Sequence, residues 1–440
     1  MSAIAQYCAW LGLRVSGSDR QLASPDVAAM QAGLSALGCV LCRQDGSGID
    51  GNVDALVVST AIEDDNPDIA AARAAGIPLF HRSDVLAALV SLKRTIAVAG
   101  TSGKSTVTAM IWEFLVSCGK DPSLISGASL IRLEETGHIG NAYRGTSDIL
   151  VIEADESDGT LVKYHPDTSV FLNISKDHKP VADTLELFAT LARNSSTVVT
   201  NADDRQLAAI RPALTFGIGR NAMVSPDTVL TLTPQVSFIR KGQRFDLPLP
   251  GEYNLSNCFA ALAVCEMMGC QTSDLAKAVS AFKGVHRRFS VTELENGVLV
   301  IDDYAHNPEK IRAALTTAQG LSRRAARVIA VFQPHGFGPT RFLKNDLAAM
   351  FSDVLRPQDT LFLLPIYYAG GTVQKDISSD DIVSLVKSNG RTASVVAGRG
   401  DLIPRIAALA APGDAVLVMG ARDPSLSSLA GEIARALIRK

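Results

Sequence analysis

The stretch Thr95-Ile96-Ala97-Val98-Ala99-Gly100-Thr101-Ser102-Gly103-Lys104-Ser105 changes character at its sixth residue. Its first half is a run of mostly small and β-branched residues, which predicts a buried strand at residues 95–99. Its second half is rich in glycine and leads into an amphipathic stretch at residues 105–118 that predicts a helix. Glycines let backbone N–H groups turn toward phosphate oxygens, and the helix N-terminus adds the positive end of its dipole. The stretch therefore predicts a strand, a phosphate-binding loop and a helix.

Two side chains give this loop its expected chemistry. Lys104 would place its charge at the β- and γ-phosphates of a nucleotide, and Ser105 would hold Mg²⁺. The usual GxxxxGK[ST] spacing is not met, because Val98 occupies the position of the first glycine. The alternative is a glycine-rich turn with a chance Lys-Ser pair, but the strand before it and the helix after it favour nucleotide binding.

The same alternation of apolar runs and amphipathic stretches continues along the chain. Helical patterns occur at residues 84–92, 255–268 and 308–318. Apolar and polar residues alternate instead between positions 230 and 249, on both sides of a Lys241-Gly242 turn. This pattern predicts antiparallel strands. Continuous Val/Ile/Leu runs predict further strands covered on both faces, at residues 55–59, 149–153, 169–174, 197–200, 298–302, 327–332, 360–364 and 415–419.

This pattern is typical of doubly wound α/β domains, and a chain of 440 residues should form two or three domains. Boundaries are expected near residues 91–94 and 283–289, where a new series of strands begins each time. The prediction is a Rossmann-like N-terminal domain at 1–92, a central domain with the phosphate loop and a mostly parallel sheet at 93–286, and a Rossmann-like C-terminal domain at 287–440.

Composition narrows the possible partners and the location. A net charge of −3 gives no reason to expect nucleic acid or an acidic membrane surface as a partner. No apolar run approaches the roughly 20 residues of a membrane-spanning helix, and the N-terminus lacks the basic start of a signal peptide. Seven cysteines, an odd number, make a poor disulfide framework, and the pair Cys39 and Cys42 lacks a second pair to complete a zinc site. We expect a cytoplasmic protein with reduced thiols.

Acidic residues follow two of the predicted strands. Glu153, Asp155, Glu156 and Asp158 come at the end of the strand at 149–153, where ligands bind in open α/β sheets. The strand at 169–174 leads into Asp177 and His178, and a neutral imidazole can ligate a metal or relay a proton. Either cluster alone is typical of a solvated turn. Following a phosphate loop in successive strand–turn units, they favour a metal–ATP site.

Segments along the whole chain resemble, in order, those of the Mur ligases of peptidoglycan synthesis, most closely the UDP-N-acetylmuramate–L-alanine ligase branch. They are VSGSD at 15–19, the phosphate loop, EADESD at 153–158, NISKDH at 173–178, NADD at 201–204, GEYNLSN at 251–257, GVHRRF at 284–289, DDYAHNP at 302–308 and FQPH at 332–335. The resemblance implies a domain for a UDP-sugar carboxylate, a central ATPase and a domain for the incoming amino acid. It also implies that the carboxylate is phosphorylated by ATP and that an amine then displaces the phosphate.

The same resemblance implies roles for individual residues. Lys104, Glu153, His178 and Arg288 would be catalytic, and Ser105, Glu153 and His178 would hold Mg²⁺. His335 and Arg341 would bind the amino acid. Two of these residues have an alternative without a role in the site. Asn257 could face solvent on a helix, and Arg288 could lie in a solvated turn. ATP would be bound by the loop residues Gly100, Thr101, Ser102, Gly103, Lys104 and Ser105, and by Thr106, Asn254, Asn257, Asp303 and Tyr304.

Four departures concern substrates more than ATP. The strand and glycine-rich loop that precede a segment like Met1–Ala5 in relatives are absent, so either the start is truncated or misassigned, or UDP is bound differently. Ser102 replaces a histidine, and Pro180 replaces an aspartate. Gly336 and Pro339 replace arginines, the natural partners of an amino-acid carboxylate.

Several functions therefore remain open. The leading hypothesis is a ligase for UDP-N-acetylmuramate and L-alanine or another small amino acid. Alternatives are a ligase that recycles a preformed peptide, a ligase for another carboxylate, and a catalytically silent ATP-binding protein. A dinucleotide-dependent oxidoreductase is disfavoured, because the GxGxxG match at residues 46–51 leads into a strand and does not open a helix.

Overall fold

The structure is a computed structural model that describes residues 1–24, 27–60, 62–177, 179–219, 221–322, 326–368 and 374–438. It divides into two compact units. The first consists of Met1–Leu230, Ser237–Pro248 and Tyr253–Val285, and the second of Thr231–Val236, Leu249–Glu252 and His286–Lys440. Among the described residues, no helix has both the length and the apolar character needed to cross a membrane.

The first unit begins with short elements that form two separate parallel pairs of strands, β1 with β2 and β3 with β4. The helix α4 starts directly after β4 and is capped at its N-terminus. The His81 ring accepts a hydrogen bond from the Ser83 N–H, and the Asp84 carboxylate accepts one from the His81 N–H. The elements are α1 (Ser2–Trp10), β1 (Ser16–Ser18), α2 (Ala28–Ala36), β2 (Val40–Cys42), β3 (Leu56–Val58), α3 (Pro67–Ala74), β4 (Leu79–His81) and α4 (Arg82–Ser91).

A larger sheet follows in the same unit, in the order β11–β10–β9–β5–β8–β6–β7. The paired strands are parallel except for β6 and β7. The phosphate-loop strand β5 lies between β8 and β9, so their carboxyl ends share one edge of the sheet. The elements are β5 (Arg94–Ala99), α5 (Lys104–Ser117), β6 (Ser123–Ile125), α6 (Ile131–Glu135), β7 (Ala142–Tyr143), β8 (Ile149–Ala154), β9 (Thr168–Phe171), α7 (Val181–Arg193), β10 (Thr197–Asn201) and β11 (Leu214–Phe216).

A small sheet and two helices complete this part of the chain. The sheet has the order β12 (Thr228–Thr231), β13 (Val236–Arg240), β14 (Gln243–Leu247). Lys241 and Gly242 join the last two strands with φ of 49° and 71°, as a two-residue hairpin of type I′ requires. The helices are α8 (Glu252–Met267) and α9 (Thr272–Ser280).

The second unit holds a sheet in the order β15–β16–β20–β17–β18–β19, parallel except for the edge pair β15 and β16. Successive residues of β17 pack into opposite cores: Ala330 with Phe351 on one face, Ile329 with Ile433 on the other. The elements are β15 (Ser290–Glu293), β16 (Leu299–Asp303), α10 (Pro308–Leu321), β17 (Val328–Gln333), α11 (Phe337–Val354), β18 (Thr360–Leu363), α12 (Ser379–Ser388), β19 (Ala393–Val395), α13 (Arg399–Leu409), β20 (Ala415–Gly420) and α14 (Leu426–Ile438).

The predicted α/β fold class with mostly parallel sheets is confirmed, and two predicted ends are corrected. The strand expected at 169–174 spans Thr168–Phe171, because Asn173 bonds to the phosphate loop, its backbone O accepting the Thr101 N–H. The helix expected from residue 255 already begins at Glu252. The domain boundaries after residues 92 and 286 remain predictions.

Candidate active site

The loop between β5 and α5 turns at Gly103, which has a φ of +87°. A Cβ atom at this position would lie 2.5 Å from Asn257 Oδ1, so the glycine also allows the close approach of α8. Lys104, Ser105 and Thr106 form the first turn of α5, where backbone N–H groups have no partner within the helix. This is the local geometry of a phosphate-binding helix N-terminus.

Asn173, just after β9, braces the loop from the neighbouring strand. Its side-chain oxygen accepts hydrogen bonds from Thr101 Oγ1 at 2.9 Å and from the Ser102 N–H at 2.8 Å. Its amide donates to Ser102 O at 3.0 Å. Ser175 adds a hydroxyl contact to Thr101 Oγ1 at 3.0 Å. These bonds hold the loop against the segment after β9, and neither Asn173 nor Ser175 was among the predicted site residues.

Lys104 is held by both the loop and the acidic segment after β8. Its Nζ donates to Gly100 O and to Glu156 Oε2, each at 2.7 Å, and lies 4.0 Å from Asp155 Oδ1. Burial alone would lower the pKa of Lys104, but the carboxylates of Glu156 and Asp155 outweigh it and raise that pKa. The lysine is therefore a cation fixed inside the loop.

Glu153 lies at the edge where the carboxyl ends of β5 and β8 meet, and Ser105 is the second residue of α5, the helix that follows β5. Glu153 pairs in register with Val98, and its Oε1 accepts a hydrogen bond from Ser126 Oγ at 3.2 Å. Gly127 allows this packing, since a Cβ there would come 2.8 Å from Glu153 Oε2. A carboxylate and a hydroxyl are hard oxygen donors, which fit Mg²⁺ when substrate phosphates and water complete its shell.

The third predicted metal ligand, His178, lies outside the described residues. Within the described part of the chain, no group of three or more His, Cys, Asp or Glu side chains is arranged to hold a metal ion. Glu153 and Ser105 nevertheless fit Mg²⁺, because this ion usually takes only one or two protein ligands and completes its shell with phosphate oxygens and water.

Asn254 and Asn257 lie on the first turns of α8, where both side chains are buried. The Asn257 amide nitrogen is 3.5 Å from Asn254 Oδ1. Asn257 therefore does not face solvent, and it reaches the turn of the phosphate loop at Gly103. The structure brings these two residues together with the loop, while their contact with ATP remains a prediction.

In the second unit, three predicted residues lie together at the end of β16. Asp303 accepts hydrogen bonds from the N–H groups of Phe289 and Ala305, both at 2.7 Å. Burial raises the pKa of Asp303 to about 6, although Arg288 opposes the shift. The Arg288 guanidinium stacks over the Tyr304 ring, 4.6 Å from its centroid. Arg288 is therefore packed on an aromatic ring and not merely solvated.

The two predicted amino-acid ligands are in the same unit. His335 is buried, and its ring lies 5.4 Å from that of His306. Arg341, on α11, donates to Asp376 and to Gln374 O, the latter at 3.1 Å. Arg341, which the resemblance assigns to the amino-acid carboxylate, thus already has a carboxylate partner within the chain.

Comparison with known proteins identifies the family. Residues 1–94, 98–265 and 287–422 match the models described as "Mur ligase family, catalytic domain", "Mur ligase middle domain" and "Mur ligase, glutamate ligase domain". A UDP-N-acetylmuramate–L-alanine ligase of Pelotomaculum thermopropionicum is 36% identical over 442 residues, covering 96% of this chain and 92% of the relative. The chain belongs to the Mur ligase family. It is an ATP-dependent, ADP-forming amide ligase, as the sequence predicted.

Other Mur ligases extend the likeness. The enzyme of the same name from Agrobacterium fabrum is 33% identical over 446 residues, covering 96% of this chain and 91% of the relative. The crystal structure of UDP-N-acetylmuramate-alanine ligase from Thermotoga maritima matches with a TM-score of 0.79 at 25% identity, covering 100% of this chain and 96% of that chain. The crystal structure of a murein peptide ligase from Psychrobacter arcticus shares the fold, with a TM-score of 0.71 at 21% identity. The match covers 100% of this chain and 97% of that chain.

Family membership leaves the roles of individual residues as predictions. Glu156 and Asp155, which the sequence offered as candidates for a metal–ATP site, lie beside Lys104, and Asn173, which had no predicted role, lies beneath the loop. The acidic segment itself was visible in the sequence, but spacing along the chain does not tell which carboxylate meets the lysine. Arg82, which contacts the same segment, gave no sequence signal.

Proposed function

We propose that this Mur ligase joins UDP-N-acetylmuramate to L-alanine or another small amino acid in peptidoglycan precursor synthesis. The observation that carries the proposal is the Lys104 ammonium at the N-terminus of α5, inside a loop braced by Asn173. It provides a fixed positive charge where ATP phosphates would bind. The substrates are supported by the names of relatives that are 33–36% identical over nearly the whole chain.

The proposed chemistry has two steps. A substrate carboxylate oxygen attacks the γ-phosphorus of ATP, the bond to the bridging oxygen of ADP breaks, and an acyl phosphate forms. The amino group then attacks the acyl carbon and loses a proton, and inorganic phosphate leaves. Lys104 would stabilise the charge on the transferring phosphoryl group, and Mg²⁺ held by Ser105, Glu153 and His178 would neutralise the phosphates.

Further assignments belong to the same proposal. Asn254 and Asn257 would contact adenine, Asp303 and Tyr304 the ribose, and Arg288 a phosphate. His335 and Arg341 would bind the amino acid. We propose that residues 1–92, 93–286 and 287–440 form the UDP-sugar, ATP and amino-acid domains, and that the enzyme works in the cytoplasm, where ATP is supplied.

A release assay for ADP tests the proposal. With UDP-N-acetylmuramate present, ADP should appear only when a small amino acid is added, and Lys104→Ala should abolish turnover. A preformed peptide that replaces the amino acid as the better acceptor would transfer the proposal to a recycling ligase. ATP binding without turnover across carboxylates and amines would contradict ligase activity in this chain.

A further inference from the structure

Arg82 connects the N-terminal part of the first unit to the acidic segment after β8. It is the first residue of α4, and its Nη2 donates to Asp158 Oδ2 at 2.7 Å. The same nitrogen lies 3.9 Å from Asp155 Oδ2. The Asp158 side chain is only 6% exposed and that of Arg82 is 28% exposed, so this ion pair is largely shielded from water.

Asp155 faces two cations with its two oxygens. Oδ2 lies near Arg82, as above, and Oδ1 lies 4.0 Å from Lys104 Nζ. Glu156, the next residue, takes the direct hydrogen bond from Lys104. A chain of alternating charges therefore runs from Arg82 through Asp155 to the lysine of the phosphate loop.

Among the described residues, Asp155 and Asp158 also accept hydrogen bonds from their own segment. Asp158 Oδ1 accepts bonds from the N–H and hydroxyl of Thr160, and Asp155 Oδ1 accepts one from the Ser157 N–H. These are bonds within the segment itself and do not tie it to α4. Arg82 does so, with a planar guanidinium that can meet two carboxylates at once.

The electrostatics support the same arrangement. Burial would raise the pKa of Asp158, but the contacts with Thr160 and Arg82 lower it. Asp158 is therefore an anion at neutral pH, and removing Arg82 would leave its charge under-compensated in a largely buried site.

We propose that Arg82 is a positioning residue for the phosphate loop, acting through Asp155 on Lys104. The inference rests on the proposed role of Lys104 in ATP binding. It makes the region at 1–94 a contributor to the nucleotide site, because one of its side chains fixes the segment that holds the lysine.

A matched pair of substitutions tests this. Lys163 donates to Asp84 at 2.6 Å, so it also joins α4 to the segment after β8, but the structure shows it beside Asp84 and not beside Lys104. Arg82→Ala should raise the KM for ATP and lower kcat, each by roughly tenfold, and leave the KM for the amino acid unchanged. Lys163→Ala should leave all three constants within about twofold, as for an exposed ion pair. Equal effects from the two substitutions would overturn the proposal.

The KM values separate positioning from simple loss of folded enzyme. A partly unfolded variant lowers kcat and leaves both KM values unchanged, because the folded fraction still binds normally. If Arg82→Ala shows that pattern, or does not fold, Arg82→Lys decides. A lysine keeps the charge but not the planar guanidinium, so the KM for ATP of Arg82→Lys should be raised above the wild-type value, by less than about tenfold. An Arg82→Lys enzyme with a wild-type KM for ATP and a reduced kcat would overturn the proposal.

A double-mutant cycle tests the route through Asp155. If Arg82 acts through that carboxylate, Arg82→Ala should add little to the loss of ATP affinity caused by Asp155→Asn. Fully additive losses would refute the route. Affinity measured by calorimetry with ADP needs no acceptor, so this result stands even if the proposed substrates are wrong. A Lys104→Ala variant that binds ADP and turns over normally would instead refute the proposed function.

Discussion

Lys104 Nζ lies 2.7 Å from Glu156 Oε2, and both side chains are largely shielded from solvent. The carboxylate takes one of the hydrogen bonds that the lysine would give to a phosphate oxygen. Breaking a buried ion pair by removing one partner is costly, because the remaining charge is left uncompensated. A bound nucleotide supplies a new anion to the same lysine, so Glu156 and ATP should be energetically coupled.

Glu156→Gln should therefore destabilise the enzyme without nucleotide by about 3 kcal/mol. Adding ATP should recover part of this loss, because phosphate oxygens compensate the Lys104 charge. We expect the ATP-induced rise in melting temperature to be larger in the variant than in the wild type. Differential scanning fluorimetry over a series of ATP concentrations measures both effects.

Glu266→Gln is the matched control for this coupling. Glu266 pairs with Arg240 at 2.8 Å, and both side chains are also largely buried in the first unit. The control should lose stability with no increase in its response to ATP. If the two variants respond to ATP alike, the coupling between Glu156 and the nucleotide does not exist.

Gly103 offers a second test, because its substitution has a steric consequence that a matched glycine lacks. Gly103 and Gly119 have φ of +87° and +75°, at the start and just after the end of α5. An alanine at either position should cost about 1–2 kcal/mol in backbone strain. Only at Gly103 would the new Cβ meet Asn257 Oδ1, at 2.5 Å, whereas nothing lies within 4 Å at Gly119.

Gly103→Ala should accordingly weaken ADP binding by at least about tenfold, a loss of roughly 1.4 kcal/mol. Gly119→Ala should lower the melting temperature and leave ADP affinity unchanged. Isothermal titration with ADP gives the comparison. Similar affinities in the two variants would mean that the approach of Asn257 to the loop is not needed for nucleotide binding.

The strand, loop and helix around Lys104 could be predicted because each depends on a local pattern: an apolar run, glycines and a 3.6-residue period. Glu153 could be predicted as well, since carboxyl ends of neighbouring parallel strands meet at one edge. The same argument places Glu156 at this edge but does not identify Lys104 as its partner, and it gives Arg82 no role. Their contacts depend on side-chain directions across 52 residues to Lys104 and 76 residues to Asp158, which no sequence period encodes.

Glu113 provides a test of stability against pH. It is 1% exposed on α5, its Oε2 faces the Lys283 N–H and Arg132, and its Oε1 has no hydrogen-bond partner in the described part of the chain. Burial raises the pKa of Glu113 from 4.5 to about 7. The folded state therefore holds this proton more tightly than the unfolded state, and stability should fall as pH rises from 4.5 to 7.

Glu113→Gln removes this ionisation. It should stabilise the protein above pH 7, by about 3 kcal/mol at most, and have a much smaller effect at pH 5, where the wild-type carboxyl is already protonated. Urea unfolding at pH 5 and pH 8 measures the two differences. A stabilisation that is the same at both pH values would show that Glu113 does not titrate in this range.

Arg341 is the arginine proposed to hold the amino-acid carboxylate. Gly336 and Pro339 have no guanidinium groups at the positions where the resemblance predicts arginines, and Arg341 is paired with Asp376. That ion pair is exposed, with side chains 44% and 53% accessible, so it contributes little stability and is easily exchanged. In the proposed reaction, Asp376 competes with the substrate carboxylate for the arginine.

Asp376→Asn should therefore lower the KM for the amino acid several-fold, with little change in kcat or melting temperature, because it frees the guanidinium for a bidentate contact. Arg341→Ala should raise the same KM by roughly tenfold or more. ADP release measured against amino-acid concentration, at saturating ATP and UDP-N-acetylmuramate, gives both constants. Arg312→Ala, which breaks an exposed ion pair with Asp353 in the same unit, is the control and should change neither constant. If Asp376→Asn raises the KM instead, Asp376 orients Arg341 for its substrate and does not compete with it.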